Sequence, residues 1–220
     1  MQITWLDYGL VAAAVASAGL TIVARTRWRG RTVLYCVIKP FTTALILLMA
    51  LLPGTFTTDR YAAAICLALF FSMIGDMLLA LPGRFLQGLV SFLLALVCLV
   101  GAFIGGLASA AFPLLLAATA LVGAAVLRYI WPGLSPGMRL PVSAYVLVMV
   151  MMVALAIGRL VQLPSTGTLL AAAGACLFLA SDSMLAMDRF RRPLPHVDVA
   201  VLGTYYMAQL LIALSVRLLT

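Results

Sequence analysis

Long apolar runs, separated by short polar connections, dominate the chain. Eight runs are predicted, at residues 5–24, 33–52, 60–81, 86–106, 112–130, 140–158, 166–187 and 197–218. Each is close to the roughly 20 residues that a helix needs to cross the hydrocarbon core of a bilayer. Helix-breaking sequences such as "LPGRF", "WPGLSPGMR" and "RRPLP" separate them. The pattern predicts an all-α fold, a polytopic membrane bundle forming a single integral membrane domain over residues 1–220.

The composition favours a membrane protein over a soluble one. Of the 220 residues, 65% are hydrophobic and only 9% are charged. A soluble domain of this size has too little interior to bury that much apolar surface. The N-terminal "MQITWLDYGL" lacks the basic stretch of a secretory signal peptide, so we do not interpret the first run as one.

The basic residues predict an orientation in the membrane. Connections 1–2, 3–4, 5–6 and 7–8 carry Arg25, Arg27, Arg29, Arg31, Arg84, Arg128, Arg139, Arg189, Arg191 and Arg192, whereas the opposite side has Arg60, Arg159 and Arg217. The positive-inside rule places the larger group in the cytosol. We therefore expect a multi-pass protein of a bacterial inner membrane with both termini outside the cytosol. The formal charge of +8 then reflects topology, and we predict no binding to nucleic acid.

Two aspartates lie inside apolar runs and are the first candidates for chemistry. Asp76 is in "FFSMIGDMLLA" and Asp182 is in "CLFLASDSMLA". Placing an aspartate inside the bilayer costs about 2.5–3.5 kcal/mol, so such side chains face the bundle interior or a water-filled cavity. The predicted run boundaries place each of them roughly 8 Å from the cytosolic end of its helix, at about 1.5 Å per residue. The equal depth predicts one shared site.

Six further polar residues are expected to support that site: Lys39, Ser72, Tyr145, Ser181, Tyr205 and Gln209. Tyr205 and Gln209 are spaced i, i+4 and share one helix face. Lys39, the only lysine, is expected to pair with an aspartate or to bind a lipid phosphate, with snorkelling to the interface as the alternative. For Tyr145 the alternative is an interfacial belt position.

Several kinds of catalytic site are disfavoured. The single histidine, His196, lies in a Pro-rich connection, and a zinc site normally needs three or four ligands. The chain has no histidine within a predicted membrane-spanning run, which argues against Ser-His-Asp catalysis there. Cys36, Cys66, Cys98 and Cys176 lack CxxC spacing and are interpreted as packing residues. We therefore predict no metal and no cofactor.

Two buried carboxyls can share one proton, so that one acts as general acid and the other as base or electrostatic stabiliser. This division suits reactions that pass through an oxocarbenium-like cation, including vinyl ether cleavage. Intramembrane acids also serve proton relays, so a proton-coupled transporter or lipid-translocating protein is the alternative. A third reading is a structural protein in which the acids only hold the bundle together.

The two halves of the chain resemble each other weakly. The sequence around Pro40 and Asp76 has a counterpart around Pro141 and Asp182. A duplication of four helices would give two parallel four-helix halves, because an even number of spans preserves direction. The alternative is chance similarity between apolar helices.

The chain resembles the YhhN family of integral membrane proteins, the lysoplasmalogenase-like proteins. The resemblance rests on "KP" at 39–40, "FFSMIGDMLL" at 70–79, "FLQGLVSFLLA" at 85–95, "GACLFLASDSMLA" at 174–186 and "TYYMAQLLIA" at 204–213. These segments follow the order of the family and extend over roughly residues 33–215. The chain differs at Leu96 and Leu99, where the family often has a histidine and a tyrosine.

The resemblance implies hydrolysis of the vinyl ether bond of lysoplasmalogens to a fatty aldehyde and a glycerophospho-headgroup. It further implies that Asp76 and Asp182 are the catalytic pair and that Lys39 is the lysine of the family's KP motif. The expected partners are a lysophospholipid substrate and the lipid bilayer. The sequence predicts neither the oligomeric state nor which aspartate is the acid.

Overall fold

A computed structural model describes residues 5–27, 32–51 and 60–218. The helices are α1 Trp5–Arg27, α2 Thr32–Leu51, α3 Arg60–Ala80, α4 Phe85–Phe103, α5 Phe112–Ile130, α6 Pro136–Gln162, α7 Thr166–Phe190 and α8 Val197–Leu218. Within the described ranges, eight helices are long and apolar enough to cross a bilayer. The prediction of an all-α, multi-pass membrane bundle is confirmed. Arg29 and Arg31, from the larger arginine group, lie outside the described residues.

Local chemistry accounts for several of the helix ends. Gly83 has a φ of +76°, a left-handed conformation that favours glycine, in the tight connection between α3 and α4. At the start of α7, Ser165 and Thr168 form a reciprocal capping box. After α4 the chain tightens into a 3₁₀ segment, Ile104–Ala108, that packs against α6.

The helices pack mainly as antiparallel neighbours. The closest pairs are α3 with α4 and α7 with α8, which occupy corresponding places in the two predicted halves. The long helix α6 contacts α4, α5 and α7, while α1 packs on α2 and α8. The equivalent pairing is consistent with a duplication of four helices, which stays a prediction.

Three helices are longer than their predicted spans, and the first of them, α1, continues to Arg27. α6 begins at Pro136 and α7 continues to Phe190, because both helices extend past the apolar run into residues with basic side chains. Asp182 is therefore about 12 Å along α7 from its end, whereas Asp76 is about 6 Å from the end of α3, at ~1.5 Å per residue. The two distances to a helix end therefore differ, yet both side chains line one cavity, and equal depth in the membrane stays a prediction.

Candidate active site

Asp76 lies in a fully enclosed polar cluster. Its side chain has no exposed surface, and the Lys39 ammonium lies 3.0 Å from Oδ1. The other carboxylate oxygen, Oδ2, accepts hydrogen bonds from the Thr43 hydroxyl at 2.5 Å and the Tyr205 hydroxyl at 2.7 Å. A buried charge is tolerated when it is paired and hydrogen-bonded in this way. Of the two functions expected for Lys39, the structure shows pairing with an aspartate.

Helix periodicity builds this cluster. Lys39 and Thr43 are four residues apart on α2, so both project from the same face toward α3. On α3, Gly75 lets the neighbouring helix approach closely, because an added Cβ there would lie 2.7 Å from the Phe92 ring. The Phe92 ring lies edge-on to the Tyr205 ring, with centroids 5.9 Å apart. In the "GD" dipeptide, Asp76 is therefore the buried acid, and Gly75 leaves space for the Phe92 ring beside it.

Asp182 has a simpler environment on α7. Its Oδ2 accepts a hydrogen bond from the Tyr145 hydroxyl of α6, which settles Tyr145 as an internal residue rather than a belt residue. The adjacent Ser181 is buried and donates to the Val201 carbonyl at 3.0 Å, which ties α7 to α8. No ion pair to Asp182 is found among the described residues. The two carboxyls therefore differ in their partners.

Both carboxyls border one cavity of about 910 Å³, a volume that includes its open part. Its polar lining consists of Lys39, Asp76, Tyr145, Ser181, Asp182, Ser183 and Tyr205. The remaining lining is apolar and includes Leu79, Leu89, Val126, Val142 and Met149. Helices α2 to α8 all contribute to the cavity. An apolar space with a small polar cluster is typical of a binding site for an amphiphilic ligand.

At one end of the cavity, aromatic side chains bridge α4 and α7. Phe85 and Phe190 are cavity-lining residues at the ends of these helices, and their rings meet edge-on with centroids 5.6 Å apart. The Arg189 guanidinium lies 4.7 Å from the centre of the Phe85 ring. Lys39, Asp182 and Tyr205 lie about two turns inside their helices and Asp76 lies about one turn inside α3, so the polar cluster is deeper than this ring pair.

The structure brings together six of the eight predicted site residues around the cavity: Lys39, Asp76, Tyr145, Ser181, Asp182 and Tyr205. Ser72 and Gln209 do not line it. Ser72 is buried on α3, one turn before Asp76, and Gln209 is buried on α8, one turn after Tyr205. The Gln209 amide nitrogen has no hydrogen-bond partner among the described residues. Ser72 and Gln209 were predicted from their helical spacing to Asp76 and Tyr205, and they lie beside the cavity rather than in its lining.

Sequence reasoning missed two parts of the site. Thr43 received no role, although its i, i+4 spacing from Lys39 was a readable signal. The site residues predicted from the sequence lie on the second, third, sixth, seventh and eighth helices, but α4 and α5 also line the cavity through Phe92, Gly123 and other apolar residues. Apolar lining residues have the same sequence pattern as core residues. In the described part of the chain, no group of three or more His, Cys, Asp or Glu could hold a metal ion.

The bundle and its cavity define a class: a multi-pass membrane protein with two carboxyls at the polar end of an otherwise apolar internal site. The profile of the YhhN family matches residues 34–216. The chain belongs to the YhhN family, which confirms the resemblance seen in the sequence.

Relatives in this family include enzymes. The chain is 40% identical over 162 residues to human (Homo sapiens) lysoplasmalogenase TMEM86B, covering 74% of this chain and 65% of that protein. It is 36% identical over 154 residues to a Mycobacterium bovis lysoplasmalogenase, covering 66% and 57%. The chain thus spans just under two thirds of the human relative's length. No solved structure matches the chain.

Proposed function

We propose that the protein is an intramembrane hydrolase that cleaves the vinyl ether bond of lysoplasmalogen-type lysophospholipids. The products are a fatty aldehyde and a glycerophospho-headgroup. One observation carries the proposal: the buried carboxyl of Asp76 and the half-buried carboxyl of Asp182 border the same largely apolar cavity. The family and the names of its relatives support the substrate class.

The chemistry of a vinyl ether suits this arrangement. Protonation of the carbon distant from the ether oxygen gives an oxocarbenium cation, and a buried carboxylate stabilises such a cation. Water adds to the cation to give a hemiacetal, which breaks down to aldehyde and alcohol. One carboxyl supplies the first proton and the other receives a proton from the attacking water. Asp76 and Asp182 are the proposed pair.

The other site residues have proposed supporting functions. Lys39 holds Asp76 through the ion pair, and Tyr205 and Tyr145 orient the two carboxyls by hydrogen bonds. Ser181 fixes α7 against α8. Ser72 and Gln209 support the neighbouring helix packing from outside the cavity, rather than contacting the substrate.

The test is release of fatty aldehyde from lysoplasmalogen by the purified protein. We expect turnover by the wild type and its loss in Asp76→Asn and in Asp182→Asn. Asp198→Asn is the matched control, because Asp198 forms an exposed ion pair with Arg25 away from the cavity lining. A saturated alkyl-ether lysophospholipid is the matched substrate control, since it has no double bond to protonate.

Normal turnover by both aspartate variants would refute the acid–base pair. Proton-gradient-dependent uptake into proteoliposomes, without aldehyde release, would instead support the transporter alternative.

We further propose that the protein is in a bacterial inner membrane with both termini outside the cytosol. The arginines at the α3–α4, α5–α6 and α7–α8 connections support this orientation. An alkaline phosphatase fusion after α8 should be active, and a green fluorescent protein fusion at the same place should be dark. The reverse pattern would contradict the orientation.

A further inference from the structure

The two carboxyls bordering the cavity have unequal sets of partners. Asp76 has a cation at 3.0 Å and two hydroxyl donors at 2.5 and 2.7 Å. Asp182 has a single hydroxyl donor, Tyr145, and no cation partner among the described residues. The ion pair makes the first group electrically neutral as a whole. A second negative charge on Asp182 would be uncompensated.

Low dielectric makes this difference decisive. Asp182 is half-buried in the wall of a largely apolar cavity, where a carboxylate without a cation partner is disfavoured relative to the protonated acid. Lys39, Asp76 and Asp182 also interact electrostatically across the cavity, with the attraction of Lys39 offset by the repulsion of Asp76. The opposite charges of the pair therefore largely cancel at Asp182 and do little to stabilise its anionic form.

The oxygen atoms of the two groups fit separate tasks. Both hydroxyl donors to Asp76 bind Oδ2, and Oδ1 accepts no hydrogen bond of good geometry from the described residues, although it lies beside Lys39. Oδ1 is enclosed in this arrangement, so a water molecule that binds its remaining lone pair must enter from the cavity that Asp76 lines. On Asp182, Tyr145 binds Oδ2, which leaves Oδ1 to carry the proton.

We propose that Asp182 is the proton donor of the reaction and that Asp76 is the carboxylate, ionised in the resting site, that orients the attacking water. Tyr145 is a positioning residue that acts through Asp182. This assignment rests on the proposed function, in which the pair had no assigned roles. The evidence for the assignment is the difference between the ion-pair and hydrogen-bond partners of the two carboxyls.

The steps balance as follows. Asp182 gives its proton to the vinyl carbon distant from the ether oxygen, and the π electrons form the new C–H bond. Water adds to the oxocarbenium carbon while Asp76 takes one of its protons. Asp76 then protonates the ether oxygen as its bond to carbon breaks, and the Asp182 carboxylate takes the hydroxyl proton of the hemiacetal. Aldehyde and alcohol leave, and both acids regain their starting states.

The protonation state can be tested without turnover. At neutral pH the wild type should show the infrared carbonyl stretch of a protonated carboxyl, and Asp182→Asn should lack it. The matched variant is Lys39→Met combined with Asp76→Asn, which removes the ion pair as a unit and should retain the band. Asp76→Asn alone is unsuitable because it would free Lys39 to pair with Asp182.

Isotope exchange tests the chemical roles. In D₂O, the variant that lacks the ion pair should protonate the substrate reversibly, so recovered lysoplasmalogen should carry deuterium on the vinyl carbon distant from oxygen. Asp182→Asn should show no such exchange, with aldehyde release reduced about 10²–10⁴-fold. Tyr145→Phe should lower kcat about tenfold with little change in KM and should alter the pH profile, as expected of one lost hydrogen bond.

Three results would overturn the assignment: an infrared band that Asp182→Asn leaves unchanged, a wild type without any such band, or deuterium exchange by Asp182→Asn but not by the ion-pair variant. Failure of the function itself appears differently. The wild type would then release no aldehyde, while the infrared band would still report whether Asp182 holds a proton.

Discussion

Removing the Lys39 ammonium should both destabilise the protein and abolish the anionic function of Asp76. At the observed 3.0 Å separation, a Coulomb interaction with an effective dielectric constant near 20 amounts to about 5.5 kcal/mol. Breaking a buried pair by deleting one partner costs about 3–5 kcal/mol, because the other charge is left uncompensated. We therefore expect Lys39→Met to lower the free energy of unfolding by about 3 kcal/mol or more.

The same change should reduce aldehyde release strongly. Asp76 is expected to escape the uncompensated charge by taking up a proton, after which it cannot accept one from water. A barrier increase of about 3 kcal/mol corresponds to a rate lower by roughly 10²-fold. Unfolding in detergent micelles measures the first effect and aldehyde release the second.

The chain offers a matched control. Arg25 and Asp198 are also 3.0 Å apart, but their side chains are 49% and 31% exposed. An exposed pair contributes only about 0–1 kcal/mol, so Arg25→Met should leave both stability and turnover nearly unchanged. Combining Lys39→Met with Asp76→Asn should restore much of the stability without restoring turnover. Equal losses from Lys39→Met and Arg25→Met, or full activity of Lys39→Met, would refute the reasoning.

Two further changes address the packing and the hydrogen bonds of the site. Gly75→Ala places a Cβ 2.7 Å from the Phe92 ring and should destabilise the protein by about 1–3 kcal/mol in the unfolding assay, whereas Gly101→Ala, with open space around it, should not. Thr43→Val removes a donor to the buried carboxylate of α3 and should cost about 1.5–3 kcal/mol in stability. Thr204→Val is the control for Thr43→Val and should have little effect, because among the described residues the Thr204 hydroxyl donates to carbonyls of its own helix. Equal losses of stability in the two glycine variants, or in the two threonine variants, would contradict these expectations.

The helices were predictable because each apolar run must satisfy its own backbone hydrogen bonds inside a bilayer. Their ends were less predictable, since hydropathy marks where a run leaves the apolar layer, not where the helix stops. α7 continues to Phe190 beyond the apolar run, and this extension changed the position of Asp182 relative to its helix end. The two aspartates stood out in the sequence because a charge in an apolar run is energetically expensive.

The partners of the aspartates were only partly predictable. The sequence left three alternatives for Lys39 and two for Tyr145, because helix periodicity says which residues share a face but not which helix that face meets. The structure resolves both in favour of internal contacts with Asp76 and Asp182. Gln209 shows the limit of such reasoning. It is a buried polar residue on α8, one turn from Tyr205, yet it lies outside the cavity lining.

The Lys39–Asp76 ion pair has a consequence for reading mutational scans of this protein. Changing either residue alone takes away the partner that compensates the other's charge, so a scan of single substitutions will score both as essential. Such a scan cannot separate a chemical requirement from an electrostatic one. The two positions are strongly epistatic, and only paired substitutions, compared with the singles in a double-mutant cycle, can assign each its own contribution.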